Sequence, residues 1–154
     1  MQRRRINLFC ENYFSIDGEE IDLRLIDTFY GNENELPYYW WNIVLKSSKE
    51  NIGKISLRIG HNYHSYYNGN IGYEIDEEYR GNHYAYKACR MLLPVAKHHG
   101  MDHLFMSCDY DNTASIKTIE RMGANLADEL VPPSDYIFYY DGMVKQRIYK
   151  LNVE

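Results

Sequence analysis

Between residues 71 and 123, apolar and polar positions pass through the same order twice. Ile71-Gly72-Tyr73-Glu74-Ile75 alternates as a half-buried strand does, and an acidic bend at Asp76-Glu77-Glu78 stops it. A polar loop, Arg80-Gly81-Asn82-His83, leads straight into a helical pattern expected over residues 84–98. There Ala85, Ala88, Cys89, Leu92, Val95 and Ala96 share one face, while Lys87, Arg90 and Lys97 lie off it. Pro94 falls inside this pattern and should remove the hydrogen bond to Arg90, kinking the helix. Gly100 supplies a stop. Leu104 to Cys108 then reads as a short buried strand, and Asp109-Tyr110-Asp111-Asn112 as a turn. A second helix follows over residues 113–122, capped by Asn112 or Asp111 and ended by Gly123. A loop that enters a helix this way aims backbone N–H groups outward at the positive end of the helix dipole, which makes an anion site. Two such units side by side, with crevices at the carboxyl ends of their strands, imply a nucleotide-like cofactor.

The flanking pattern is mostly strand. Residues 6–16 allow an edge strand, and Asp17-Gly18 marks a turn. Ile21 to Asp27 alternates, Gly31 to Pro37 is a loop, and residues 38–45 and 53–59 form a hairpin through Ser47–Asn51. Residues 61–70, rich in Tyr, His, Asn and Gly, read as a loop. Residues 124–131 and 146–151 read as late strands, separated by a break at Pro132-Pro133. The expectation is an α/β fold of one domain spanning residues 1–154.

Composition narrows the function classes. With 154 residues, the chain is long enough to bury a core without staples. Seventeen Lys+Arg against 22 Asp+Glu give a net charge of −5, which argues against a nucleic-acid partner. The single basic run, Arg3-Arg4-Arg5, reads as a solvated terminus. No apolar stretch approaches the roughly 18 residues of a membrane span, and no signal-peptide h-region follows the basic start. Cys10, Cys89 and Cys108 are odd in number and widely spaced, so reduced thiols in a cytoplasmic protein are expected. Sixteen tyrosines suit an acceptor pocket or a partner interface, and a homodimer is one assembly they allow. The pairs His61/His64 and His98/His99, with His103, lack helical i,i+4 spacing and cysteine partners, so no metal site is expected.

Arg80-Gly81-Asn82-His83-Tyr84-Ala85, and Asn112 with Ser115 ahead of Gly123, carry a resemblance over roughly residues 53–130. Together they resemble the phosphate loop and the later Asn-x-x-Ser signature of the GNAT superfamily, the acyl-CoA-dependent N-acyltransferases. The resemblance implies a GNAT-like domain with a mixed, twisted central sheet of about six to seven strands and two main helices after the fourth and fifth. It implies acetyl-CoA as cosubstrate, no metal, and direct attack by a small-molecule or protein amine in a ternary complex. The pyrophosphate would then lie on the N–H groups of Asn82, His83, Tyr84 and Ala85 around Gly81, with Arg80 as a charge-assisted donor. The strand end at Ile75 would pair with the pantetheine arm, and Asn112 and Ser115 would hold the cofactor further. Gly31 to Pro37 is too short for the helices that relatives carry between their first two strands.

Glu74 is the candidate base, since it alternates out from Tyr73 and Ile75 beside the expected thioester; the alternative is a solvent-facing strand glutamate. Asn112 has a compatible second role as a helix cap. Two residues depart from the family pattern. His83 stands where relatives have a glycine, although histidine is enriched at positive φ. Ile119 stands where many relatives place a tyrosine that protonates the departing thiolate; Tyr110 and Tyr84 are possible substitutes. Two other readings stay open: a CoA-binding protein of this fold without transferase activity, and a tyrosine-rich interaction module.

Overall fold

The computed structural model describes residues 8–153. Among the described residues, eight strands divide into two antiparallel sheets. The first sheet has the order β1 (Ser15–Asp17), β2 (Ile21–Phe29), β3 (Tyr38–Leu45), β4 (Asn51–Arg58), β5 (Ile71–Ile75). The second has the order β6 (His103–Asp109), β8 (Gln146–Asn152), β7 (Asn125–Leu130). The expected α/β fold is thus present, with its strands shared between two sheets.

Period-2 alternation sets the faces of the first sheet. Tyr39, Trp41 and Ile43 of β3 and Ile55 and Leu57 of β4 are buried on one face, while Tyr38, Trp40, Asn42, Lys54, Ser56 and Arg58 turn to the other. The apolar face receives two helices, α2 (Tyr84–Met91) and α3 (Leu93–His98), through Ala88, Cys89, Leu92, Val95 and Ala96, all fully buried. This is the face the sequence assigned. The helix breaks at Leu92, two residues ahead of Pro94, where Leu92 N–H turns back to Cys89 O at 3.1 Å. Two aromatic side chains anchor the N-terminal segment to this core. The Tyr39 hydroxyl accepts from Cys10 N–H at 2.7 Å, and Trp41 Nε1–H donates to Tyr13 O at 2.8 Å.

Two sequence expectations need correction. Residues 61–70 are not simply a loop, because Tyr63–Asn68 forms a short helix, α1. Asn62 and Ser65 build a reciprocal capping box there, with Asn62 Oδ1 accepting from Ser65 N–H at 2.7 Å. Only Ser15–Asp17 of residues 6–16 is strand; Glu11–Tyr13 is a single 3₁₀ turn, and residues 6 and 7, like Arg3-Arg4-Arg5, lie outside the described residues. The connection from β2 to β3 carries no helix, as its length required, so no helix from that connection covers the outer face of the first sheet. Among the described residues no helix is long and apolar enough to cross a membrane.

The two sheets meet at one point. Asn70 N–H donates to Phe105 O at 2.6 Å, and Asn70 Oδ1 accepts from Phe105 N–H at 2.9 Å. Gly69 lies so close to β6 that an added Cβ would stand 3.1 Å from Phe105 O. Beyond this junction β5 and β6 pair with different partners, leaving a gap between the carboxyl ends of the two strands.

Candidate active site

On the helix side of that gap, β5 runs through a 3₁₀ turn (Glu77–Tyr79) into α2. Gly81 takes φ +87° and His83 φ +63°, so histidine does occupy the left-handed conformation that relatives meet with glycine. No side chain caps α2. Lys87 N–H is the first to reach an intrahelical acceptor, His83 O at 3.0 Å, and the amides ahead of it remain at the helix's positive end. The loop is held from both sides. Arg80 Nε–H donates to Ile75 O at 2.9 Å, and Asn82 Nδ2–H to Tyr79 O at 3.1 Å. A second cation reaches in from 38 residues away: Arg121 Nη1–H donates to His83 Nδ1 at 2.9 Å while its guanidinium lies 4.5 Å from the centre of the Tyr86 ring. Neither Arg80 nor Arg121 has a carboxylate partner among the described residues, so both charges are available to an anion.

The second unit is α4 (Thr113–Arg121), which follows β6. Asn112 Oδ1 accepts from Ser115 N–H at 3.2 Å, the predicted cap, which leaves its amide nitrogen for another partner. Ser115 also links the two units, since its Oγ accepts from the Tyr73 hydroxyl of β5 at 3.2 Å. Tyr73 is a residue that sequence reasoning passed over. Its ring crosses the gap toward α4, and burial pushes its phenol above the ordinary tyrosine range. Tyr110 and Tyr84 are less suited to the gap: Tyr110 is exposed beneath Lys145, and Tyr84 lies beneath Lys87.

Ile119 is 1% exposed and belongs to the core. Ile119→Tyr should therefore overpack the core and lower stability by about 1–3 kcal/mol, without raising the rate of any transfer reaction. Melting temperature and kcat measured together check this; an undamaged, faster variant would mean the position faces a cavity. Covalent catalysis by Cys89 or Cys108 is also disfavoured. Burial pushes the Cys89 thiol up to about 12 and the Cys108 thiol up to about 11, so neither offers a thiolate near neutral pH.

On the opposite face of β5 lies an open groove of about 220 Å³. Gly72, Ser56, Trp40, Lys54 and Glu74 are among the residues that line it. Glu74 stands directly across the ladder from Lys54, whose ammonium lies 5.3 Å from the centre of the Trp40 ring. Glu74 is exposed to this groove, so it is neither buried nor facing featureless solvent.

Hydrogen bonds thus tie Arg80 to Ile75 and Ser115 to Tyr73 of the same strand, and Glu74 faces the groove on that strand's other side. The histidine pairs do not assemble into a metal centre. His61 stacks on His103 with ring centres 4.1 Å apart, His64 accepts from Ile137 N–H, and His99 bonds the Tyr39 hydroxyl. Among the described residues no three His, Cys, Asp or Glu side chains are placed to hold a metal ion.

Comparison with known proteins agrees with this fold. A family model described as an acetyltransferase (GNAT) domain matches residues 10–125. No curated protein sequence matches the chain. Among solved structures, a ribosomal L7/L12 alpha-N-protein acetyltransferase is 15% identical with a TM-score of 0.65, over 90% of this chain and 93% of its own. An acetyltransferase from Salmonella typhimurium, described as modifying the N-terminal serine of ribosomal protein L7/L12, is 20% identical, TM-score 0.59, over 76% and 64%. A microcin C7 self-immunity acetyltransferase, solved with acetyl-CoA and AMP, is 22% identical, TM-score 0.57, over 75% and 61%. At these identities the likeness is one of fold.

Proposed function

This chain belongs to the GNAT acetyltransferase family, and from that premise we propose that it transfers an acetyl group from acetyl-CoA to an amine by direct attack. The observation that carries the reading is the position of β5. One end of this strand opens into an uncapped helix N-terminus flanked by unpaired arginines, and its outer face presents Glu74 to a groove.

In this reading the pyrophosphate accepts from the N–H groups of Asn82, His83, Tyr84 and Ala85, with Arg80 and Arg121 as cationic neighbours. The pantetheine arm enters the gap between β5 and β6 beside Ile75, with Asn112 and Ser115 across from it. The thioester then lies near the groove, where Glu74 removes a proton from the incoming ammonium. The neutral amine attacks the carbonyl carbon, a C–N bond forms, and the C–S bond breaks. The second amine proton leaves with that step, and the CoA thiolate takes up a proton, with the Tyr73 hydroxyl as the nearest candidate donor in the gap. A thiolate is a moderate leaving group, since thiols ionise near pH ~8.5, so turnover does not require a tyrosine at position 119.

The acceptor is a small-molecule or protein amine; relatives described as modifying a ribosomal protein N-terminus favour an α-amine among the candidates. Amine-dependent release of CoA thiol from acetyl-CoA, followed over a panel of peptides, amino acids and polyamines, tests the proposal. Release with matching acetylation of one amine is expected. Saturable acetyl-CoA binding with no release across the panel would instead indicate a CoA-binding protein without transferase activity.

A further inference from the structure

Arg58 is a cation on the groove face that the chemistry above does not use. It follows Lys54 and Ser56 by strand alternation on β4, and so shares the face of Gly72 and Glu74. Its guanidinium is half-buried, and burial lowers its pKa from the ordinary arginine value, which means that keeping the charge here costs solvation. Tyr136, Tyr38 and Glu35 offset that cost only in part and without an ion pair. Its one side-chain hydrogen bond is a long contact of 3.4 Å from Nη1–H to Gly69 O, and it has no carboxylate within ion-pair distance among the described residues. An arginine carries five N–H donors in a planar fork, so most of this fork has no acceptor in the protein. It opens toward a small pocket lined also by Glu35, Asn62, His64 and Phe138.

Gly72 connects that fork to the groove. A Cβ added at Gly72 would stand 3.8 Å from Arg58 Nη1 and 3.3 Å from Ser56 Oγ. The guanidinium therefore reaches back along the sheet to the level of Gly72, two residues from Glu74, a separation of about 7 Å at ~3.3–3.4 Å per residue. The absent side chain leaves an open floor between a carboxylate and an unpaired guanidinium. A ligand lying on that floor meets a proton acceptor at one end and a bidentate anion site at the other.

We propose that the acceptor carries an anionic group, a carboxylate or a phosphate, about 7 Å from its reacting amine, and that Arg58 binds it. Lys54 does not replace Arg58 in this role, because its ammonium is held against Trp40 and faces Glu74 across the ladder. The inference rests on the transferase reading of the groove.

Two matched pairs test it: alanyl-alanine against alanyl-alaninamide, and the tetrapeptide amide Ala-Asp-Ala-Ala against Ala-Asn-Ala-Ala. The first pair places the anion on a terminal carboxylate, the second on a side chain. In at least one pair the anionic member should show a kcat/KM about 10- to 100-fold above its neutral partner, as a charge-assisted bidentate contact predicts. Arg58→Met should abolish that preference while moving the neutral member's kcat/KM little. Lys54→Met, which removes an equal charge from the same face, should leave the preference in place. Arg58→Lys guards against a folding defect in the methionine variant and should keep part of it. Equal kcat/KM within both pairs for the wild-type protein overturns the anion site, as does an Arg58→Met variant that keeps the preference. Titrating the same pairs into protein saturated with CoA separates this from failure of the transferase. Anion-selective binding that Arg58→Met removes, without thiol release in any arm, keeps the anion site and rejects the transferase. Thiol release at equal rates within both pairs does the reverse.

Discussion

Gly81→Pro is expected to weaken acetyl-CoA binding by at least about 100-fold while leaving the melting temperature nearly unchanged. Gly81 holds φ at +87°, and the proline ring fixes φ near −65°, so the loop cannot keep its turn. The substitution also removes one N–H group and swings its neighbours away from the place where a pyrophosphate would sit. Hydrogen bonds to a charged group contribute about 1.5–3 kcal/mol each, so losing two reaches the stated effect at ~1.4 kcal/mol per tenfold. The core should survive. Nothing lies within 4 Å of a Cβ built at Gly81, and residues 80–83 are exposed. Gly81→Ala provides the graded control, since an L side chain in the left-handed region costs about 1–2 kcal/mol but keeps the N–H. Calorimetric titration with acetyl-CoA gives both numbers. Wild-type affinity in the proline variant would remove the phosphate-loop assignment.

Glu74→Gln should lower kcat by roughly 10²–10⁴-fold, the range expected for loss of a general base, with acetyl-CoA binding unaffected because the groove and the loop lie on different sides of β5. The pH profile is the more discriminating readout. A carboxylate base loses activity as acid protonates it, so the acidic limb of the wild-type profile should flatten in the glutamine variant, which cannot titrate. A profile of unchanged shape, with kcat lowered less than tenfold, would return Glu74 to the role of a solvated strand residue. Lys54, directly opposite, would then be the next group to test.

What the sequence could disclose was local. The hairpin of β3 and β4, the Asn112 cap, the break ahead of Pro94 and the buried face of α2 and α3 all follow from periodicity or from one residue's backbone chemistry. His83 at positive φ was legible for the same reason. α1 was missed because Tyr, His and Asn are weak helix formers, and Asn62 with Ser65 formed the one start signal in a segment without an apolar stripe. The site's other parts come from long-range pairing, which leaves no trace in spacing. Arg121 meets His83 across 38 residues, Tyr73 meets Ser115 across 42, and Arg58 acquires its meaning only from Gly72 on the next strand. The open outer face was half legible: the short Gly31–Pro37 link excluded covering helices, yet which residues it uncovered depended on register.

Chemistry by direct attack is tested most directly by mass spectrometry of both protein and acceptor after a single turnover with acetyl-CoA. With amine present, the acetyl group should appear on the amine nitrogen as thiol is released, and the protein mass should not change at any time. With amine omitted, no burst of thiol should occur, because direct attack forms no acyl-enzyme and the Cys89 and Cys108 thiols are buried and held protonated. A stoichiometric burst without amine, accompanied by acetylated protein, would contradict attack within a ternary complex.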